Sequence, residues 1–344
     1  MKKLQMTKTK ILFIGTSDFA VPILEKLAHS EFIELIGVVT QPDKSIGRHQ
    51  SELGQSPVKQ WVQTSSKKEK KVQLFQPEKL RDEAEKIIEL TQPDLIIVAS
   101  YGQMVPKIMI DYPKFKCLNV HVSLLPDLRG AVPMPMAILK GYKKTGVSIP
   151  IMTEKLDDGD IIARREIDID DDETTESLTK KASNVGADLL ISILQKWMNG
   201  EVKPVPQDHS KATYCTQNDI SKEKAQLLTT DTAIDIDRKI RAFYPWPIAW
   251  SFLRGPEDDK QMEGIEANAQ FKGKRLKIFK IKVLDEKYPN KKNLKLFKYE
   301  NRLILRADDG WLEILECQLE GKKKMPGSDY LFLANDKCES APII

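Results

Sequence analysis

The chain predicts an α/β fold: a Rossmann-like open, mostly parallel sheet followed by a smaller C-terminal OB-like β-barrel. Three observations carry that prediction. Short β-branched apolar runs alternate with helical periodicities through the first half. A polar stretch with Pro204 and Pro206 then interrupts the chain. Short strands mixing apolar and lysine residues follow it. At 344 residues, and with roughly 150 per domain as a prior, two domains are expected. They are placed at 1–198 and 212–344, joined by a linker at 199–211.

Lys10–Gly15 reads as a buried strand ending at a glycine, with Ser17 or Asp18 available to cap the helix behind it. That helix presents Val21, Leu24 and Leu27. Leu35–Val39 is the second strand. The turn Thr40–Asp43 opens a polar, glycine-containing loop running through Arg48 to Gln55. Pro57 starts another helix, and Thr64–Lys71 is a Ser/Lys run expected at the surface. After a short strand at Val72–Phe75, Pro77 opens a helix with Leu80, Ala84, Ile87 and Ile88 on one face. Asp94–Ala99 is the clearest buried strand, followed by the loop Tyr101–Pro106. Strands alternating with helices imply parallel pairing, and right-handed crossovers leave an open sheet. Gly15–Ala20 holds one glycine where a dinucleotide fingerprint needs three, and no phosphate-binding P-loop occurs. A nicotinamide enzyme or P-loop NTPase is therefore not expected. The site should lie at the carboxyl ends of the strands.

Cys117–Val122, after the break at Pro113–Lys116, reads as another buried strand, interrupted by Asn119 and His121. Two residues apart on a strand, these side chains share a face. A carboxamide can hold a developing oxyanion, and an imidazole can give or take a proton near neutral pH. Alone, the pair reads more readily as two satisfied core polar groups. Thr145–Met152 reads as a further strand, and Leu156–Asp160 as the acidic loop after it; by itself that loop is an ordinary solvated turn. The EF-hand spacing is absent.

In the last third, Thr174 or Thr175 can cap a long helix carrying Leu178, Ala182, Val185, Leu189 and Ile193. Ala212–Tyr214 begins the second domain. Thr232 and Asp235 match a capping box, with Ala233, Ile236, Ile240 and Phe243 on one helical face. Arg241–Pro247 reads as an aromatic–proline corner packing the small domain's core. Leu276–Val283, Arg302–Arg306 and Trp311–Leu315 are expected strands, with Asp308–Gly310 as the turn between the last two.

Composition excludes several classes. No run of about 18 apolar residues exists, so no membrane partner is expected. Met1–Lys10 reads as a basic tail, and the apolar run Ile11–Ile14 is too short for a signal-peptide core. Cys117, Cys215, Cys317 and Cys338 form no Cys-x-x-Cys pair and have no His at ligand spacing, which argues against a metal site or disulfide framework and fits a reducing cytoplasm. Phe271–Arg306 holds 13 Lys and Arg against 3 Asp and Glu, a local balance of +10 in a chain of net +4. That concentration fits a polyanion footprint such as RNA; a solvated lysine-rich surface is the alternative.

The series Asn119-x-His121, Ser123-Leu-Leu-Pro126, Arg129-Gly130 and Leu156-Asp157-x-Gly159 resembles the folate-dependent formyltransferases. The resemblance runs from about Ile11 to Met325. It implies that Asn119, His121 and Asp157 are catalytic and that Ser123, Leu124, Leu125 and Pro126, with the backbone around Met104 and Val105, contact 10-formyltetrahydrofolate. It implies no metal. The loop Thr40–Arg48 and the motif Arg241-Ala-Phe-Tyr-Pro-Trp-Pro247 resemble the tRNA-acting branch of the family. That branch implies initiator methionyl-tRNA as the acceptor, contacted by Lys44, Arg48, Lys274, Arg275 and Lys277, and a monomeric, cytoplasmic enzyme. Two departures stand out: Asp127 replaces a usual basic residue, and Ser17 a usual proline. An amino-sugar nucleotide as acceptor and a catalytically dead RNA-binding protein are the alternatives. The basic segment argues against the first, and the complete catalytic set against the second.

Overall fold

A computed structural model describes residues 8–46, 52–65, 72–228, 230–253, 273–285, 295–333 and 341–342. The chain divides into two compact units. The first comprises Met1–Pro133, Lys143–Asp168 and Leu178–Cys215; the second comprises Met134–Tyr142, Ile169–Ser177 and Thr216–Ile344.

The first unit is built on a five-stranded sheet in the order Gln73–Phe75, Ile33–Val39, Thr9–Gly15, Leu95–Ala99, Cys117–Asn119. Every pairing in it is parallel. Ile11–Ile14 and Leu95–Ile97 are completely buried, as near-continuous apolar runs in a sheet covered on both faces must be. Helix Leu80–Thr91 buries Leu80, Ala84, Ile87 and Ile88, the face its spacing predicts. Its first free amide is capped from a distance, because Leu80 N–H donates to Gln103 Oε1 at 2.9 Å. Helix Ala20–Ala28 corrects an expectation: Phe19 takes the N-cap position and no side chain caps it. The carbonyls of Ser17 and Asp18 accept from Ala20 and Val21 instead, and the Ser17 hydroxyl donates to Ser100. Thr174 caps helix Thr175–Met198, its Oγ1 accepting from Ser177 N–H at 3.2 Å. The buried stripe of that helix runs through Leu178, Ala182, Leu190 and Leu194, leaving Val185 and Ile193 at its margin. A side chain at Gly186 would stand 3.0 Å from Val120, so glycine lets the helix approach the sheet closely.

The strand expected to reach Val122 stops at Asn119. Beyond it the chain exchanges two backbone hydrogen bonds between His121 and Ser148, both 2.9 Å. Ser148 lies on Lys144–Pro150, which pairs antiparallel with Ile161–Asp168. The stretch 199–211 lies with the first unit. Val205 and Ile161 exchange both backbone hydrogen bonds at 2.9 Å, and Gln207 is buried.

The second unit carries an antiparallel sheet with the path Trp250–Leu253, Lys274–Leu284, Trp311–Leu319, Arg302–Arg306, Lys295–Tyr299 and Ala341–Pro342. Among the described residues no strand pair closes that path into a barrel. Helix Ala233–Ala242 covers its core, which includes Ile236, Ile240, Leu276, Ile278, Leu305 and Leu312. The expected capping box is present, with Thr232 accepting from Asp235 N–H at 3.2 Å and donating to its carboxylate at 2.6 Å. Strand Lys274–Leu284 alternates cleanly only through Ile278. Register shifts on both sides of Lys280 break the period, and Val283 is left exposed. The aromatic–proline corner divides. Phe243 and Pro247 are buried, whereas Trp246 is 52% exposed and does not pack the core.

Candidate active site

Parallel strands deliver their carboxyl ends to one edge, and Asn119 ends one of them. Asn119 Nδ2–H donates to Asp157 Oδ1 at 3.3 Å. His121 follows two residues later, 5% exposed, with Nδ1 3.6 Å from Asp157 Oδ2. Its Nε2 stands 3.0 Å from the Leu128 carbonyl. A carbonyl only accepts, so Nε2 carries a proton and Nδ1 is the nitrogen turned to the carboxylate. Asp157 Oδ2 also accepts from Gly130 N–H at 2.9 Å. The three residues named from sequence are therefore together, although Asp157 comes from a loop far along the chain.

Two backbones bend to make this possible. Asp157 has φ 49° and Leu128 φ 55°, the left-handed region that non-glycine residues enter at a cost of about 1 kcal/mol or more. Such strain persists where surroundings over-determine it. Gly159 shows how tightly the loop is drawn in: a Cβ there would stand 1.8 Å from the Ile151 carbonyl.

The segment Ser123–Pro126 is fastened to strand Lys144–Pro150. Ser148 Oγ donates to the Ser123 carbonyl at 2.7 Å and accepts from Leu125 N–H at 3.1 Å. Leu124 lies over Gly146, and Leu125 is fully buried. The Ser123 hydroxyl donates to the Asp127 carbonyl at 2.6 Å, closing its own turn. Leu124 and Pro126 are the half-buried members of the segment. Val105 packs into the core with Leu80 and Met109, whereas Met104 is 69% exposed. Asp127, the unusual acid, accepts from the Thr213 hydroxyl.

The basic residues fall in separate places. Lys44, on strand Lys44–Ile46, donates to Gln41 at 2.6 Å. Arg48 lies outside the described residues. Lys274, Arg275 and Lys277 all lie on strand Lys274–Leu284 of the second unit. The Arg275 guanidinium sits 4.4 Å from the Trp250 ring centre. The residues that sequence reasoning missed are Gly130, Ser148, Arg129 and Gln207. The pair Arg129-Gly130 was visible as a motif, but a backbone N–H role carries no side-chain signature.

Comparison with known proteins shows the family of the chain. Residues 9–194 match the family described as formyl transferase, and residues 219–333 its C-terminal domain. A methionyl-tRNA formyltransferase of Bacillus subtilis is 37% identical over 328 residues, covering 94% of each chain. One from Bacillus velezensis is 36% identical over 326 residues, again 94% of each. Among solved structures, HypX from Aquifex aeolicus in complex with tetrahydrofolic acid superposes with a TM-score of 0.61 at 17% identity over 97% of this chain. The chain spans about half of that protein, 49%. An N-formyltransferase from Helicobacter canadensis, in complex with folinic acid and dTDP-3-aminofucose, gives 0.61 at 19% identity, covering 89% of this chain and 98% of that one. These structures establish the shared fold. The sequence relatives go further: the chain belongs to the formyl transferase family and, within it, to the methionyl-tRNA formyltransferases.

Proposed function

We propose that the chain transfers the formyl group of 10-formyltetrahydrofolate to the free amino group of initiator methionyl-tRNA, in the cytoplasm and as a monomer. The observation that carries the reading is the convergence of Asn119 and His121 on one carboxylate, Asp157, at the edge of the parallel sheet. Folate supplies an activated formyl carbon when bound. Asn119 spends one amide hydrogen on Asp157, which leaves the second free for the formyl oxygen. His121 is held by Nε2 and its Nδ1 faces Asp157 at 3.6 Å, beyond a hydrogen bond; as the imidazolium, its Nδ1–H is left to donate to the same oxygen. Asp157 stabilises the imidazolium and helps relay the proton released by the attacking amine to the folate nitrogen, whose bond to the formyl carbon breaks as the tetrahedral intermediate collapses. The half-buried Leu124 and Pro126 offer an apolar wall of the kind a flat heterocycle needs.

The acceptor is argued separately. Sequence likeness over 94% of the chain joins it to enzymes named for methionyl-tRNA, and the basic stretch 271–306 suits phosphate contacts. We assign catalysis to 1–198 and RNA contact to 212–344 together with the Lys44 and Arg48 loop. Amino-sugar transfer remains the competing reading, since solved relatives with this fold include a sugar 3N-formyl transferase. Offering a labelled formyl donor to methionyl-tRNA and to amino-sugar nucleotides in parallel separates the two. Label passing to the sugar and not to the tRNA would overturn the assignment.

A further inference from the structure

Arg129 is 3% exposed and, among the described residues, no carboxylate lies within ion-pair distance of it. It donates instead to neutral acceptors. Nε and Nη2 both reach Gln207 Oε1, at 3.2 and 2.7 Å. Nη2 also reaches His209 Nδ1 at 3.0 Å, and Nη1 the Tyr214 hydroxyl at 3.3 Å. The other end of the Gln207 amide points to the active-site loop. Nε2 donates to the Asp157 carbonyl at 2.9 Å and to the Gly159 carbonyl at 2.7 Å. All four hydrogen-bonding positions of the amide are thus used. Its orientation is also determined, because a guanidinium only donates and a carbonyl only accepts. A flipped amide would oppose like to like at every contact.

We infer that Gln207, oriented by buried Arg129, is a positioning residue that holds Asp157 in its left-handed conformation and so aims its carboxylate at Asn119 and His121. The inference rests on the catalytic role proposed for Asp157. The physical argument is one of constraint. Asp157 at φ 49° is not held there by its own backbone preference. Its carboxylate accepts from Gly130 N–H at 2.9 Å and Asn119 at 3.3 Å, and among the described residues its main chain is held only by the Gln207 amide. The guanidinium, buried with no counter-ion among the described residues, would be a costly way merely to fill space. Its fork makes Gln207 rigid.

Gln207→Glu separates positioning from stability. It keeps an oxygen facing Arg129, now as an ion pair, but turns a second oxygen toward two carbonyls. The expected result is a melting temperature close to the parent, KM for both substrates within about twofold, and kcat lower by about 10- to 100-fold, the range for a displaced catalytic group. In an Asp157→Ala background the same substitution should change kcat less than twofold, because its target is gone. Parent-like kcat in Gln207→Glu, or an equal loss in both backgrounds, would overturn the inference. Should Gln207→Glu prevent folding, Gln207→Met takes its place, with a lower melting temperature but the same expectations for KM and kcat. Failure of both to fold assigns Gln207 to the fold's stability and overturns the inference too. If Asp157→Ala alone retains full activity, it is the proposed function that fails.

Discussion

The Asp157 carboxylate is the group on which the three site residues converge, and that makes its neighbours testable. Asn119, His121 and the Gly130 amide all face its carboxylate. Replacing Asn119, His121 or Asp157 by alanine should each lower kcat about 10²-fold or more, the usual loss for one oxyanion donor or its support. Parent-like turnover in a folded variant would remove that residue from the chemistry. Gly130 tests the backbone side of the same argument. Its φ is 120°, and a Cβ would stand 2.0 Å from the Cys215 carbonyl. Gly130→Ala should therefore lose both thermal stability and activity. A parent-like melting curve would show that the contact yields without cost. The sequence named the three side chains through a motif series that resembles the folate-dependent formyltransferases; taken singly, Asn119 and His121 read as core polar groups and Asp157 as part of a solvated turn. It was silent on Gly130, since a main-chain N–H looks the same in every residue but proline.

At the level of elements, helix Ala233–Ala242 depends on its first turn. The Thr232 hydroxyl beside Asp235, then the Thr232 amide, with Arg238 and Lys239 nearby, hold the Asp235 carboxyl below its ordinary value of 3.8, against opposing desolvation. A carboxyl lowered in the folded state stabilises above its unfolded value and loses that contribution as pH falls through the folded one. The capping contribution is therefore complete above about pH 4 and fades below it. Thr232→Ala should cost about 1 kcal/mol at neutral pH. It should also flatten the acid limb of the second unit's unfolding, followed by circular dichroism between pH 2 and 5. An unchanged acid limb would mean that the cap does not couple to Asp235. This cap was readable because its signal is local, two residues three apart. The cap on helix Leu80–Thr91 was not, since Gln103 reaches it from a loop after the next strand. The same distance explains why 199–211 looked like a linker. Its prolines and polar residues match one, while the partners of Val205 and Gln207 lie 44 to 78 residues earlier.

For the whole molecule, charge decides which partner is drawn in. Phe271–Arg306 carries 13 basic residues against 3 acidic. If that stretch meets phosphates, tRNA affinity should fall steeply with salt, each contact adding about −0.9 to the log–log slope as for duplex DNA. Folate binding should barely respond. Replacing Lys274 and Lys277 together should reduce the slope by about two such contacts, and a slope that does not change would place the RNA elsewhere. Arg48→Ala should cut transfer to charged tRNA much more than it weakens folate binding. Equal effects would assign the loop to the donor site.

By itself the sequence determined the alternation of strands and helices, the buried faces, and the identities of the three converging side chains. Each of these is written in local periodicity or in a compact motif. Only the tertiary structure decided where those side chains meet, and which groups hold them. Asp157 is brought to His121 by strands paired across the chain, held there by an amide from Gln207 and a backbone N–H from Gly130. Those contacts join residues tens of positions apart through an uncharged amide and a backbone N–H, and such donors leave no pattern of hydrophobicity or charge along a chain.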